Sequence, residues 1–202
     1  MKHDYAVLIS QEMIEDLQNY YNFEDPDIAF MCALEDFLEK KTIEKVNARE
    51  LIAAAHRSKD TFYKLYGSKK KMVDKLCQKV CDFWGSLWTI ENGKIVGRVD
   101  AKVVTFLLTW AELFTNFRKM ILQHMEGNID FYQAEKFHLT EGQLEYVQMN
   151  RFVFIRYGIK GAIDSWLHSE KRNFRGLDET AEFIAREIKS LEKWVNGEFE
   201  KA

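Results

Sequence analysis

The chain has 202 residues, of which 47% are hydrophobic, and it contains one proline and ten glycines. This composition suits a folded protein with a large core and excludes a mainly disordered chain. No stretch approaches the roughly 20 apolar residues that a membrane-spanning helix needs, and the first residues show no secretory pattern. We therefore expect a soluble, cytoplasmic protein with no membrane partner.

Metal sites and the common catalytic motifs are missing from the sequence. Cys77 and Cys81 lie four residues apart, but two further ligands are not close to them in sequence, so we expect buried thiols and neither metal nor cofactor. Glu135 and His138 have the Glu-x-x-His spacing of helical di-iron sites, which need a second such pair that this chain lacks. There is also no phosphate loop, G-x-S-x-G or H-E-x-x-H motif, so we expect that the protein is not an enzyme.

Positive charge is concentrated in one stretch of an otherwise acidic chain. The net charge is −3, yet residues 39–80 contain twelve Lys or Arg against five acidic residues. Residues 1–38, by contrast, contain one Lys and nine acidic residues. A basic block inside an acidic protein is typical of a DNA-facing module, and a solvated charged surface is the alternative.

The N-terminal extension, residues 1–25, predicts a short amphipathic helix because apolar residues recur in it at helical spacing. Asp25 and Pro26 are then typical of a helix start, with Asp as the cap and proline in the first turn. This second helix carries one apolar stripe and is expected to run to about Lys41.

Two short helices with a three-residue break between them are predicted next. Asn47 and Glu50 have the spacing of a capping box, which starts a helix over residues 48–55. His56 and Arg57 follow, and Ser58 caps a second short helix over residues 59–66. These proportions are those of a helix-turn-helix motif.

The remainder of the chain predicts long helices and no strand. Glycine-containing breaks separate these helices, including a turn at Asn92-Gly93 and Gly97. The helices are expected over residues 69–88, 100–125, 143–168 and 178–196.

Residues 47–72 resemble the TetR family of transcription regulators in residue type and in spacing. The family pattern is a Thr or Ser helix cap, a helix of small residues that ends in Ala-Gly, a Ser-capped recognition helix with Thr-hydrophobic-Tyr, an aromatic residue, and Ser-Lys two residues later. The matching residues are Asn47, Leu51, Ala54-Ala55, Ser58, Thr61-Phe62-Tyr63, Tyr66 and Ser68-Lys69. The turn departs from the pattern, because His56 replaces the usual glycine and would need a left-handed backbone. Arg57 likewise replaces a small apolar residue.

The resemblance implies an all-α fold with a helix-turn-helix DNA-binding domain over residues 26–72 and a helical dimerisation and effector domain over residues 73–202. It implies that three residues contact phosphates, namely Asn47, Tyr63 and Lys69. The recognition helix, capped by Ser58, would turn Lys59, Asp60, Thr61 and Lys64 toward base edges.

The C-terminal half predicts a dimer interface and an effector pocket. Gly158 and Ala162 lie four residues apart and would let a partner helix approach closely, which favours a homodimer through the last two helices. Packing of these residues inside one subunit is the alternative. Aromatic residues of the central helices are candidates for lining a pocket for a small apolar effector, or for forming simple core. The candidate pocket residues are Trp84, Trp88, Phe106, Trp110, Phe114, Phe117 and His124.

The expected function is that of a sequence-specific transcription regulator, a repressor that a small molecule releases from its double-stranded DNA operator. The alternative is a protein of the same fold that binds other proteins and has weak or no affinity for DNA. The acidic N-terminal extension keeps that alternative open, because it would weaken DNA contact if it lay over the basic block.

Overall fold

The computed structural model describes residues 10–126, 158, 161–163, 165–166 and 176–198. This part of the chain is mostly helical, as the sequence predicts, and it also contains a two-stranded sheet. None of its helices has the length and apolar character needed to cross a membrane. Nor does it contain a group of three or more His, Cys, Asp or Glu residues arranged to hold a metal ion.

The described elements fall into two compact units. In chain order they are α1 (Gln11–Tyr21), α2 (Asp25–Leu38), a 3₁₀ turn (Ile43–Lys45), α3 (Ala48–Ala54), α4 (Lys59–Leu65), α5 (Lys69–Ser86), β1 (Trp88–Glu91), β2 (Lys94–Gly97), α6 (Ala101–Leu113), α7 (Thr115–Glu126) and α8 (Leu177–Val195). The first unit contains α1 to α4, α7 and nearly all of α5. The second contains the two strands, α6 and α8.

Helix α2 supplies much of the core of the first unit. Its side chains Phe30, Met31 and Leu34 are fully buried. Its carboxylate Glu35 is also buried, and it accepts hydrogen bonds from the backbone N–H of Asn116 at 3.0 Å and of Phe117 at 2.7 Å. Glu35 therefore caps the start of α7, where backbone N–H groups have no partner inside the helix.

The N-terminal extension forms a short helix, α1, as predicted. Ser10 caps it by accepting a hydrogen bond from the backbone N–H of Met13 at 3.1 Å. Leu17 and Tyr21 are fully buried, and the Tyr21 ring meets the Phe83 ring of α5 edge-on with centroids 5.1 Å apart. These contacts dock α1 on the C-terminal half of α5.

The second unit contains a β-hairpin, so the prediction of no strand was wrong. Strands β1 and β2 pair antiparallel, with Ile90 opposite Ile95. The predicted turn at Asn92-Gly93 is present, and both residues have positive φ, 53° and 75°. Positive φ at both central positions is typical of a type I′ turn, whose twist matches that of the strands.

Helix α8 packs its apolar face on α6 in the second unit. The buried residues of that face are Ala181, Ile184, Ala185, Ile188 and Val195. The same helix meets β2, where Gly97 lies so close to Glu192 that a Cβ atom would overlap the carboxylate. Lys189 donates to the Gly97 carbonyl at 2.6 Å and to Glu192 at 3.1 Å.

Asn196, which caps the end of α8, completes the outer edge of β2. Its Oδ1 accepts a hydrogen bond from the Ile95 N–H at 2.9 Å, and its Nδ2 donates to the Ile95 carbonyl at 2.8 Å. One side-chain amide therefore takes the place of a neighbouring strand at this position.

Some predicted boundaries differ from the observed ones. The helix expected over residues 100–125 is interrupted at Phe114, and the helix expected to end at Trp88 ends at Ser86 because Trp88 begins β1. The border between the units lies at residue 84, and residues 114–126 belong to the first unit. Most of the helix expected over residues 143–168 lies outside the described residues, although the described positions within it are helical.

Candidate nucleic-acid interface

The two short helices form where the sequence predicts them, and each has its predicted cap. The Asn47 side chain accepts a hydrogen bond from the backbone N–H of Arg49 at 2.8 Å, while Glu50 accepts one from the N–H of Asn47 at 3.3 Å. The Ser58 hydroxyl accepts a hydrogen bond from the N–H of Thr61 at 3.0 Å. These bonds satisfy N–H groups that a helix leaves unpaired at its start, so both helix starts are well defined.

The turn between α3 and α4 has the hydrogen bonds of a Schellman motif. The His56 N–H donates to the Ala53 carbonyl at 3.1 Å, and the Arg57 N–H donates to the Ile52 carbonyl at 3.2 Å. His56 has φ of 50°, the left-handed conformation that the sequence predicts for it. Glycine favours this position because it has no Cβ atom. His56 therefore forms the turn at the cost of backbone strain.

Helix α4 is anchored by one fully buried aromatic residue, Phe62. The Phe30 ring of α2 meets it edge-on with centroids 5.3 Å apart, and Tyr66 at the end of α4 lies 5.7 Å from it. An edge-to-face aromatic contact such as that of Phe30 with Phe62 is favourable beyond the area that it buries. The inner face of α4 is thereby packed against α2 within the first unit.

The outer face of α4 carries the residues that the TetR resemblance assigns to DNA. Lys59, Asp60 and Lys64 are exposed, and Tyr63 keeps 54% of its surface exposed. Thr61 is half-buried, and its hydroxyl lies 2.9 Å from that of Ser58 in a mutual hydrogen bond. Two lysines and a tyrosine therefore project from one short helix whose opposite side is held by aromatic packing.

A buried carboxylate ties the end of α4 to α2 and α5. Asp27 is 1% exposed, and it accepts hydrogen bonds from the Tyr66 hydroxyl and from the Lys79 ammonium, both at 2.6 Å. The backbone N–H of Glu24 donates to it at 3.0 Å, and the Lys75 ammonium lies 3.9 Å away. Nothing local in the sequence indicates this cluster, because Asp27 and Tyr66 lie 39 positions apart.

The cluster shifts the pKa of both partners. Burial alone would raise the pKa of Asp27, but the hydrogen bonds from Lys79, Tyr66 and Glu24 outweigh it and lower that pKa below its ordinary value of 3.8. Burial is the largest cause that raises the pKa of the Tyr66 hydroxyl, and the hydrogen bond to Asp27 raises it further. At neutral pH the carboxylate is therefore charged and the phenol is neutral.

Lys69, predicted to contact a phosphate, bonds within the chain. Its ammonium donates to the carbonyls of Ile43 at 2.6 Å, Val46 at 2.8 Å and Glu44 at 3.3 Å. The side chain is half-buried. The sequence did not indicate this role, and a phosphate contact by Lys69 stays a prediction.

The C-terminal end of α1 packs on α5. Helix α1 contacts Phe83, which lies 14 residues after Lys69 on α5, about 20 Å along a helix that rises 1.5 Å per residue. Tyr21 and Tyr20 both make this contact. These two tyrosines therefore hold the end of α1 near the C-terminal end of α5.

The residues predicted to line an effector pocket are divided between the two units. Trp84, Phe114 and Phe117 belong to the first, and Trp88, Phe106 and Trp110 to the second. All are buried except Trp84, which is half-buried, and the His124 side chain lies outside the described part. These rings contribute to the core of each unit, and an effector pocket stays a prediction.

The residues predicted to form the dimer interface have two different environments. Gly158 is helical and exposed, and Ala162 is helical and half-buried. The apolar stripe of the last helix is instead buried against α6 in the same chain. That stripe is therefore not available to a partner.

No family model matches the chain, and no match is found among curated proteins or solved structures. The resemblance to TetR regulators therefore rests on the motif of residues 47–72.

Proposed function

We propose that the chain is a DNA-binding transcription regulator of the TetR type that inserts α4 into the major groove. The observation that carries this proposal is the two-sided character of α4. Phe62 is fully buried on its inner side, while Lys59, Tyr63 and Lys64 are exposed on its outer side. A helix that packs on the protein with its inner side and presents polar side chains on its outer side suits the major groove, which accommodates one α-helix.

In this proposal the side chains of α4 divide into two groups by role. Lys59, Asp60, Thr61 and Lys64 face base edges, where lysine recognises guanine and a carboxylate accepts from cytosine. Tyr63 and Asn47 contact phosphates, and these contacts fix the register without reading the sequence. The Asn47 oxygen is occupied by the Arg49 N–H, which leaves its amide NH₂ group to donate to a phosphate.

The test begins by selecting duplexes from a random-sequence pool with the wild-type protein. Fluorescence anisotropy then compares binding of the selected duplex with that of a scrambled one. We expect Lys64→Ala to reduce the preference for the selected duplex by about 1–3 kcal/mol if the lysine reads a base. Lys94→Ala, which changes an exposed lysine in the second unit, is the matched control and should leave the preference unchanged. Wild-type protein that binds no duplex at low salt would contradict the proposal.

The alternative function, an interaction protein of the same fold, has one observation in its favour. Several cations of the basic block already have partners within the chain: Lys79 binds Asp27, Lys69 binds three carbonyls, and Lys41 binds Glu50 at 2.7 Å. Less of the positive charge is then available to phosphates than the composition indicates. The same duplex selection separates the two functions, because the alternative predicts no enrichment of any sequence.

We also propose that the regulator is a homodimer through its last two helices and that a small apolar effector releases it from DNA. A two-fold dimer would present two copies of α4 to successive turns of the major groove. The exposed side of α8 carries Phe183 and Trp194, which are 40% and 36% exposed. Exposed aromatic residues on the outer side of a terminal helix are consistent with a subunit interface.

A further inference from the structure

The 3₁₀ turn at Ile43–Lys45 is held in place by Lys69. Two bonds close the turn on itself, from the Lys45 N–H to the Thr42 carbonyl at 3.0 Å and from the Val46 N–H to the Ile43 carbonyl at 3.2 Å. The Lys69 ammonium adds bonds to three carbonyls of the same segment, two of them shorter than 2.9 Å. Hydrogen bonds from charged donors are short and about twice as strong as neutral ones, so Lys69 dominates the attachment.

This attachment places the turn at the start of α5, the helix that follows α4 in the chain. Lys69 is the first residue of α5 and follows Leu65, the last residue of α4, by four positions. Its bonds therefore hold residues 43–46 at the start of α5, and α5 begins four positions after the end of α4. On the other side the turn leads directly into the Asn47 cap of α3.

The two lysines at this place are in opposite situations. An ammonium group has three donor hydrogens, and those of Lys69 are directed at three carbonyl oxygens, which leaves no donor for a phosphate. Lys45 is exposed, and its ammonium forms no ion pair with any residue that the structure describes. The pKa of the neighbouring Glu44 is lowered. The largest cause is a hydrogen bond from Thr42, and a backbone hydrogen bond and the charge of Lys69 add to it. The charge of Lys69 is therefore partly balanced by Glu44.

We propose that Lys69 is a positioning residue for DNA binding: it holds the turn so that Lys45, and not Lys69 itself, contacts a DNA phosphate. This inference rests on the proposed function and assigns the phosphate contact on this side of α4 to a residue outside the TetR-like motif. Lys69 then acts on DNA only through Lys45.

A double-mutant cycle in the full-length chain tests the inference, with the duplex obtained from the selection as the probe. Affinity is measured by anisotropy across a series of salt concentrations, and the melting temperature of each variant is recorded. We expect Lys45→Ala to weaken binding about 5- to 10-fold per protomer at 0.1 M salt and to reduce the salt slope by about 0.9 per protomer, the value for one phosphate contact, which is about 1.8 for a dimer on one duplex. It should leave the melting temperature unchanged. Lys94→Ala should alter neither quantity.

Lys69→Ala should lower the melting temperature by about 5 °C because the turn loses its hydrogen bonds. Measured on folded protein at low temperature, it should weaken binding in the wild-type background and have no further effect in the Lys45→Ala background. Lys69→Gln keeps two donors without the charge and covers the case in which Lys69→Ala does not fold. It should retain the wild-type salt slope.

The outcomes separate this inference from the proposed function. If wild-type protein binds no duplex, the proposed function fails and the inference fails with it. If wild-type protein binds but the losses of Lys45→Ala and Lys69→Ala add, with a combined slope change of about 1.8 per protomer, Lys69 contacts its own phosphate and only the inference is overturned. A wild-type slope in Lys45→Ala, or a slope lowered by about 0.9 per protomer in Lys69→Gln, overturns it equally.

Discussion

His56 adopts a left-handed backbone that side chains with a Cβ atom usually avoid. Its φ of 50° is required by the Schellman turn, in which the N–H groups of His56 and Arg57 satisfy the last carbonyls of α3. For a residue with a side chain this conformation costs roughly 1–2 kcal/mol. The turn therefore contains strain that one substitution can remove.

We expect His56→Gly to raise the free energy of unfolding by about 1 kcal/mol, since the relief of strain exceeds the added flexibility of the unfolded chain. Urea unfolding monitored by circular dichroism measures it. The matched control is Ala53→Gly, an exposed site on α3 where glycine should instead lower stability by about 1 kcal/mol. A less stable His56→Gly variant would show that the imidazole makes a contact that outweighs the strain.

The buried Asp27 makes stability depend on pH in the acid range. Its pKa in the folded protein lies below the ordinary value of 3.8, so the folded state binds this proton more weakly than the unfolded state does. The stabilisation is therefore complete well above pH 3.8 and is lost as the pH falls through 3.8 toward the folded pKa. Burial raises the pKa of Glu35 above 4.5, although its hydrogen bonds with Phe117 and Asn116 oppose this. The contribution of Glu35 to stability therefore has the opposite pH dependence and increases as the pH falls.

We expect Asp27→Asn to reduce the loss in free energy of unfolding between pH 5 and pH 2, a range that brackets the ordinary pKa of 3.8. At neutral pH it should cost about 3 kcal/mol, because the ammonium of Lys79 loses its charged partner. Tyr66→Phe should cost about 1–2 kcal/mol by removing a donor to Asp27 while keeping the ring. Tyr63→Phe, at an exposed tyrosine, is the control and should cost nothing measurable. If the loss of stability at acid pH is unchanged in Asp27→Asn, that loss is caused by other carboxylates.

At the scale of elements, α4 is too short to be stable alone. It has seven residues, whereas isolated helices shorter than about 12 residues are marginal in water. Its stability therefore comes from the Ser58 cap and from the packing of Phe62 against Phe30 and Tyr66. The exposed side of the helix therefore contributes little to folding.

We expect Phe62→Ala to lower the free energy of unfolding by about 3–5 kcal/mol, since it leaves a cavity at a fully buried site. Tyr63→Ala, the neighbouring aromatic residue with 54% exposure, should change stability by less than about 1 kcal/mol and should weaken DNA binding. Thermal and urea unfolding measure the first effect, and anisotropy measures the second. Equal stability losses in the two variants would contradict the two-sided character of α4.

Local signals in the sequence predicted the short helices, because a cap acts over three residues. Asn47 with Glu50, and Ser58 with Thr61, are such pairs, and both are present. The hairpin was missed because its strands are four residues long and too short to show an alternating pattern. The Asn92-Gly93 dipeptide next to Ile90 and Ile95 was the signal that could have found it. Asp27 and Lys69 could not be assigned from the sequence, since their partners lie 39 and more than 20 positions away.

At the scale of the whole molecule, the second unit bears on the oligomeric state. A Cβ atom added at Gly158 would have no atom of the described residues within 4 Å, so these residues leave room for a larger side chain there. We expect a homodimer by light scattering at micromolar concentration, and a monomer for Gly158→Leu with an unchanged circular dichroism spectrum. Gly176→Leu, at another site with open space, is the control and should remain a dimer. A monomeric wild-type protein, or a dimeric Gly158→Leu, would contradict an interface through the last two helices.

The amide of Asn196 protects the protein from self-association of another kind. A strand at the edge of a sheet offers its free N–H and C=O groups to any extended chain, which makes such edges starting points for aggregation. At Ile95 both groups are occupied by Asn196. A chain truncated just before residue 196 would therefore leave the backbone N–H and C=O of Ile95 open to pairing with another chain. Its solubility, rather than its melting temperature, is the property that should suffer first.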